Sequence, residues 1–315
     1  MIRDPRALSQ FRAETDERGR FVRQASHFRA TVTADGSSGF RAEPGRYHLY
    51  VSLACPWAHR TIIVRRLKKL EDVISMSVVD PVRDERGWAF TEGPAHGPDP
   101  VNGFAFLSEA YVASDPGFHG RVTVPALWDR ETGQIVNNES PEILRMLNSE
   151  FDAWGDASLD LYPAALRDEI DVVNDVVYRT VNNGVYRAGF ATTQEAYEEA
   201  FDALFATLDD LDVRLSGRRY LMGDRFTEAD WRLFTTLVRF DTVYALHFKC
   251  NLRRIVDYPS LWPYLRDLYQ VPGVAETVNF DHIKRHYYVT HTSINPTGIV
   301  PKGPALDLTQ PHGRG

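Results

Sequence analysis

The chain has 315 residues, room for two domains of ordinary size, and its 43% hydrophobic and 25% charged residues are enough to build a normal core. Two cysteines exclude a disulfide framework, and a net charge of −7 with acids and bases interspersed excludes a broad nucleic-acid footprint. No run approaches the roughly 18 apolar residues of a membrane span, and Met1 to Arg20 is too rich in Arg, Asp and Glu for a secretory signal, so a reducing cytoplasmic location is expected.

Residues 1–45 are polar and close on the cluster Gly36-Ser37-Ser38-Gly39, the pattern of an N-terminal extension ending in a loop. Tyr47 to Leu53 is aromatic and β-branched, as a strand requires, and Val73 to Val79 is a second strand candidate. Between them, Trp57 to Leu70 carries apolar residues at helical spacing behind Pro56, which is tolerated in a first helical turn. Asp80 to Gly120 is rich in Gly, Pro and aromatics, with a short helix near Leu107 to Ala113. Arg121 to Trp128 reads as a third strand broken by Pro125. Glu131-Thr132-Gly133 turns into Gln134 to Val136, and a helix follows over Glu139 to Leu147. After a linker near Asp152 to Tyr162 the period is helical: Ala164 to Val185, Thr193 to Leu215, Thr227 to Leu246 and Tyr258 to Tyr269. Thr227 and Asp230 have the spacing of a capping box. The tail from Thr290 holds Pro296, Pro301 and Pro304 and is expected to be irregular. An α/β domain over 46–150 therefore precedes an all-α domain over 163–289.

Cys55 lies between a strand and a helix. Backbone N–H groups of a first helical turn, and the positive end of the helix dipole, stabilise a thiolate placed there, and His59 and Arg60 follow one turn on. The competing reading is a buried, inert thiol. A bend at Val124-Pro125 would expose the Val124 backbone to a ligand if the peptide is cis; an ordinary trans proline is the alternative. Ser140, at a helix start, is a place for a carboxylate, and Glu139 could pair an amine, although an ordinary cap explains both. Read singly, Trp88, Tyr186, Tyr244 and Tyr287 are packing aromatics.

Together these residues resemble one family. Cys55-Pro56-Trp57-Ala58-His59-Arg60, Gly87-Trp88-Ala89-Phe90, Arg121 to Asp129 and Val136-Asn137-Asn138-Glu139-Ser140 are similar to segments of the glutathionyl-hydroquinone reductases, the Xi class of glutathione transferases. So are Asn182 to Phe190, Asp241-Thr242-Val243-Tyr244, His286-Tyr287-Tyr288 and Asn295 to Pro301, and the resemblance runs from about Phe21 to Pro304. It implies a thioredoxin-like domain followed by a helical domain, glutathione as cosubstrate, no metal, and a homodimer. By resemblance Cys55 is the nucleophile, and Trp88, Arg121, Val124, Glu139 and Ser140 bind glutathione. Tyr186 then matches the proton donor, while Tyr244 and Tyr287 match tyrosines that favour the thiolate and hold the hydroquinone; Tyr288, beside Tyr287, leaves open which of the two faces the site.

The implied reaction converts a glutathionyl-hydroquinone and glutathione into hydroquinone and glutathione disulfide. The alternatives are a glutaredoxin-like thiol transferase or dehydroascorbate reductase of the omega-like type, and a conjugating transferase. A conjugating enzyme activates glutathione's own sulfur with a serine or tyrosine, and a cysteine in that place argues against it.

Overall fold

The structure is a computed structural model that describes residues 14–314; the first thirteen residues of the expected extension and Gly315 lie outside them. The chain forms two compact units, and neither is continuous in sequence. Gln24–Leu159 and Asn279–Thr290 make the first, while Glu14–Arg23, Asp160–Val278 and the residues from His291 onward make the second.

In the first unit a short parallel pair, β1 (Val32–Thr33) and β2 (Phe40–Arg41), precedes the main sheet. That sheet comprises β3 (Tyr47–Val51), β4 (Ser75–Val78), β5 (Ala126–Asp129) and β6 (Gln134–Asn137), in the order β4-β3-β5-β6. β3 runs parallel to β4 and antiparallel to β5, and β5 is antiparallel to β6. All five residues of β3 are buried, as expected of a central strand covered on both faces. The parallel crossover is α1 (Pro56–Leu67), which packs beside α3 (Ser140–Ser149); α2 is Leu107–Ser114. The third strand begins at Ala126 and not at Arg121, because a proline cannot donate to a ladder and the Val124–Pro125 peptide is cis. Residues 28–30 lie along β6: Asn138 N donates to Phe28 O at 3.0 Å and Ala30 N to Val136 O at 3.0 Å.

In the second unit the helices are α4 (Arg167–Val177), α5 (Gly184–Gly189), α6 (Gln194–Ser216), α7 (Glu228–Arg239) and α8 (Leu261–Tyr269). Two of the expected long helices are interrupted. The run over 164–185 becomes a 3-10 turn, α4, and a π-helical turn at Tyr178–Asn182 before α5. There the Asn182 side-chain amide donates to Arg232 O at 2.9 Å and to Thr236 Oγ1 at 2.8 Å, tying the wide turn to α7. The run over 227–246 leaves α-geometry after Arg239 and widens into a second π-helical turn, Phe240–Tyr244. Asp241 within it accepts from Ile255 N at 2.6 Å and Val256 N at 3.0 Å. Asp230 closes the box at the head of α7, accepting from Thr227 N at 2.8 Å; burial raises its carboxyl above the usual range, opposed by those hydrogen bonds. Thr193 Oγ1 accepts from Ala196 N at the head of α6.

One helix has no counterpart among the expected elements: α9 (Phe280–Thr290). Asn279 caps it, accepting from His282 N at 2.9 Å, and α9 is part of the first unit.

Candidate active site

Cys55 is the N-cap of α1, half-buried, with Pro56 at the first helical position. No acidic residue occupies the first turn to oppose a negative charge. Its Sγ donates to Val124 O at 3.5 Å, so the thiol faces the residue before the cis proline. His59 and Arg60 are fully buried, and the Arg60 guanidinium lies 4.8 Å from the Trp57 ring centroid.

A buried hydrogen-bond network fixes the backbone around Val124. Tyr111 OH donates to Thr123 O at 2.7 Å, and the Asn138 side-chain amide donates to Tyr111 OH and Thr123 Oγ1, each at 3.1 Å. Asn138 Oδ1 in turn accepts from Phe28 N at 2.9 Å. Glu139 is the N-cap residue of α3 and Ser140 its first residue, with Ser140 buried. Ser26 Oγ donates to Glu139 Oε2 at 2.8 Å, and Glu139 N donates to Asn137 Oδ1 at 2.7 Å. Two segments, the loop before Pro125 and the head of α3, are thereby clamped by the adjacent Asn138 and Asn137. Arg121, half-buried, stands three residues before Val124 on that loop.

Trp88 is buried and stacks on His286, with ring centroids 5.0 Å apart and planes 20° apart; the Arg83 guanidinium lies 5.0 Å from the Trp88 centroid. His286 belongs to α9, which hydrogen bonds tie to the loop after β4: His282 Nε2 with Pro94 O at 2.7 Å, His286 Nδ1 with Pro81 O at 2.8 Å, and Arg83 N to Thr290 Oγ1 at 3.1 Å. Tyr287 follows His286 on this helix, its ring edge-on to the imidazole at 5.2 Å. Tyr287 and Tyr288 are both buried, and burial pushes the Tyr288 phenol up to about 12.

The other two candidate tyrosines lie in the second unit, each beside a π-helical turn. Tyr186 is in α5, just after the first, and Tyr244 ends the second. Their hydroxyls are 3.4 Å apart and their ring centroids 5.9 Å. Single π-helical turns inside helices recur at functional sites, because the extra residue re-aims side chains.

The comparisons with known proteins decide the family. Residues 54–150 match the family model of the glutathione S-transferase N-terminal domain, and residues 194–267 that of the C-terminal domain. The chain is 56% identical to glutathionyl-hydroquinone reductase YqjG of Escherichia coli, over 94% of this chain and 92% of that one. It is 57% identical to glutathionyl-hydroquinone reductase PcpF of Sphingobium chlorophenolicum, over 92% and 91%. A solved Xi-class transferase from Natrialba magadii superposes with a TM-score of 0.91 at 55% identity, covering 92% of this chain and 89% of that chain. The glutathione-bound structure of YqjG gives 0.90, covering 91% and 96%. This chain belongs to the glutathionyl-hydroquinone reductases, the Xi class of the glutathione transferases.

For a Xi-class transferase the division of residues is informative. Cys55, Trp88, Arg121, Val124, Glu139, Ser140 and Tyr287 all fall in the first unit, and Tyr186 and Tyr244 in the second. Asn138, Tyr111, Thr123 and His286 were missed as supporting residues. The first of them carries a readable signal, since a polar Asn137-Asn138 pair follows the apolar Ile135-Val136. His286 lies in a segment that carries the resemblance, but its supporting role has no local signal, because its partners Trp88 and Pro81 lie about two hundred residues earlier in the chain.

Proposed function

We propose that this chain reduces S-glutathionyl-hydroquinones to hydroquinones, releasing glutathione disulfide through a mixed disulfide on Cys55. The observation that carries the reading is the Cys55 thiol, at a helix start and in contact with the carbonyl of the residue before a cis proline. Glutathione brings two carboxylates, an ammonium and a peptide-like middle. Arg121 suits one carboxylate, the head of α3 at Ser140 the other, Glu139 the ammonium and the Val124 backbone the middle.

In the first half-reaction the Cys55 thiolate attacks the glutathione sulfur of the conjugate. An S–S bond forms as the ring C–S bond breaks, and the electron pair passes to the ring carbon. That carbon takes a proton from the Tyr186 hydroxyl, and hydrogen bonds from Tyr244 and Tyr287 stabilise charge on sulfur and ring oxygens. In the second half a glutathione thiolate attacks the mixed disulfide at the glutathione sulfur, giving glutathione disulfide and restoring the Cys55 thiolate. The proton of that second glutathione returns Tyr186 to its hydroxyl form, so atoms and charge balance over the cycle.

A reducing, cytoplasmic setting fits this chemistry, because both cysteines are free and the nucleophile must be kept reduced. A homodimer acting on small molecules, with no nucleic-acid or membrane partner, completes the reading. The test is turnover with an S-glutathionyl-hydroquinone beside a chlorinated aromatic electrophile. Formation of hydroquinone and glutathione disulfide with the first, and no conjugate with the second, is expected. Conjugation without disulfide formation would overturn the reading.

A further inference from the structure

The chain segment 14–23 belongs to the helical unit, and its construction ends on the ring of Tyr186. Asp16 organises the segment by accepting from Arg18 N and Arg20 N, each at 2.9 Å, while Val22 N donates back to Glu14 O at 2.8 Å. Gly19 has φ +79°, the left-handed region that favours glycine. The resulting loop is pinned at several points. Thr192 N donates to Gly19 O at 3.0 Å, Thr193 Oγ1 donates to Arg18 O at 2.8 Å, and Arg20 pairs with Glu199 at 2.6 Å. Glu199 also holds Arg187, the residue after Tyr186, at 2.8 Å. The Phe21 ring packs on Phe190 at 5.4 Å. At the end of the segment Arg23 Nε donates to Asn183 Oδ1 at 2.9 Å, and its guanidinium lies over the Tyr186 ring, 4.9 Å from the centroid. Asn183 and Tyr186 are one helical turn apart, so a single arginine spans both.

We propose that Arg23 is a positioning residue for hydroquinone release: it holds the Tyr186 ring and stabilises the phenolate left when that hydroxyl gives its proton to the departing ring. The inference rests on the reading of Tyr186 as proton donor. A guanidinium over a neutral phenol makes a cation–π contact, and over a phenolate it faces a full opposite charge. The interaction therefore strengthens as the proton leaves, and only interactions stronger in the transition state accelerate a step. In the isolated glutathionyl enzyme the Tyr186 phenolate has already regained its proton from water, so thiol exchange at Cys55, measured from that species, meets no phenolate and Arg23 has no part in its barrier.

The experiment separates the two halves by rapid mixing. Enzyme mixed with an S-glutathionyl-hydroquinone, without free glutathione, reports hydroquinone release; the isolated glutathionyl enzyme mixed with glutathione reports exchange. Arg23→Gln is expected to slow release by about 3–30-fold, within the range a lost cation–π contact covers, and to leave exchange within about twofold. Arg23→Lys, which keeps the charge, recovers part of the rate. In a Tyr186→Phe background Arg23→Gln costs less than about twofold more, since no phenolate forms there. Gly19→Val tests the loop itself. A Cβ at Gly19 would stand 2.7 Å from Thr193 Cγ2, so the loop must shift, and the variant should show the release defect of Arg23→Gln. Equal slowing of both halves, or an undiminished Arg23→Gln effect in Tyr186→Phe, overturns the proposal. A slow Tyr186→Phe beside an unaffected Arg23→Gln overturns Arg23 alone, whereas a Tyr186→Phe that releases hydroquinone at the native rate removes the proton-donor reading itself.

Discussion

Each unit contains one cysteine, and the contrast between them shows what the fold makes of a thiol. Cys55 caps a helix, is partly open to solvent and touches a backbone carbonyl beside a cis proline. Cys250 is fully buried, and desolvation pushes its thiol up to about 12; its sulfur lies 3.8 Å from Phe248 O. Residue type is the same; the helix terminus and the exposure differ. The tyrosines show the same rule from the other side. Tyr186 and Tyr244 pair their hydroxyls beside π-helical turns, while Tyr264, also buried, donates its hydroxyl to Asp230 at 2.8 Å as part of the core.

The sharpest break between the two units is removal of the nucleophile. Cys55→Ala should lower reductase turnover by at least about a thousandfold, as deletion of a catalytic nucleophile does in other enzymes. Its melting temperature should change little, because the side chain is at a site edge. Mass spectrometry after incubation with the conjugate should show one glutathionyl group on the native chain and none on the variant. Turnover within about tenfold of native would end the nucleophile assignment.

A smaller effect is expected at Asn138, which with Asn137 forms the clamp between the Val124 loop and the head of α3. Asn138→Ala strips hydrogen bonds from Tyr111, Thr123 and Phe28 N, a loss of about 1–3 kcal/mol at a buried site. With the loop loosened, KM for glutathione should rise by about tenfold while kcat falls less. A variant with native KM would show that the clamp does not position the glutathione site.

How legible this was follows from range in sequence. The Cys55-Pro56 boundary, the Glu139-Ser140 helix start and the Thr227–Asp230 box are local signals, and each element they open was found. The interruptions at Tyr178–Asn182 and Phe240–Tyr244 were not visible, because the helical period continues through them and their causes are distant partners of Asn182 and Asp241. Helix α9 was overlooked for a related reason. Despite the local start signal of its asparagine cap, it owes its seat to Pro81, Arg83 and Pro94 near the other end of the chain. The polar N-terminal segment gave no hint that residues 14–23 and 28–30 belong to different units.

Acid should destabilise both units through buried histidines, His48 and His282 in the first and His247 in the second, all held below the usual value chiefly by burial. Burial lowers His48 to about 4, its two ring nitrogens meeting Ser75 Oγ at 2.7 Å and Ser77 Oγ at 2.9 Å. His247 is likewise lowered to about 4, by burial first and by Lys249 second. Between the unfolded value near 6.5 and the folded value near 4, the unfolded chain binds a proton that the native chain does not. Stability contributed by the neutral imidazole is thus full above about pH 6.5, and falls by up to about 1.4 kcal/mol per pH unit per histidine as pH drops toward 4. Urea midpoints at pH 7.5 and 5.5 bracket the upper part of this window, above the range where most carboxylates titrate. His48→Gln and His247→Gln should each flatten the dependence in part, with His282 carrying the remainder. A dependence unchanged in both variants would show that neither histidine is the acid-sensitive group.

The smallest effect belongs to Cys250. With its thiol up at about 12, Cys250 carries almost no thiolate at neutral pH, so it cannot resolve the Cys55 adduct by thiolate exchange. Its burial leaves no approach for a conjugate either. Cys250→Ala should keep single glutathionylation, the double-displacement kinetics and kcat within about twofold, at a cost of about 1 kcal/mol for the lost sulfur's packing. Loss of turnover at unchanged stability, or an intramolecular Cys55–Cys250 disulfide appearing in the native enzyme, would make Cys250 a resolving thiol and erase the contrast between the two cysteines.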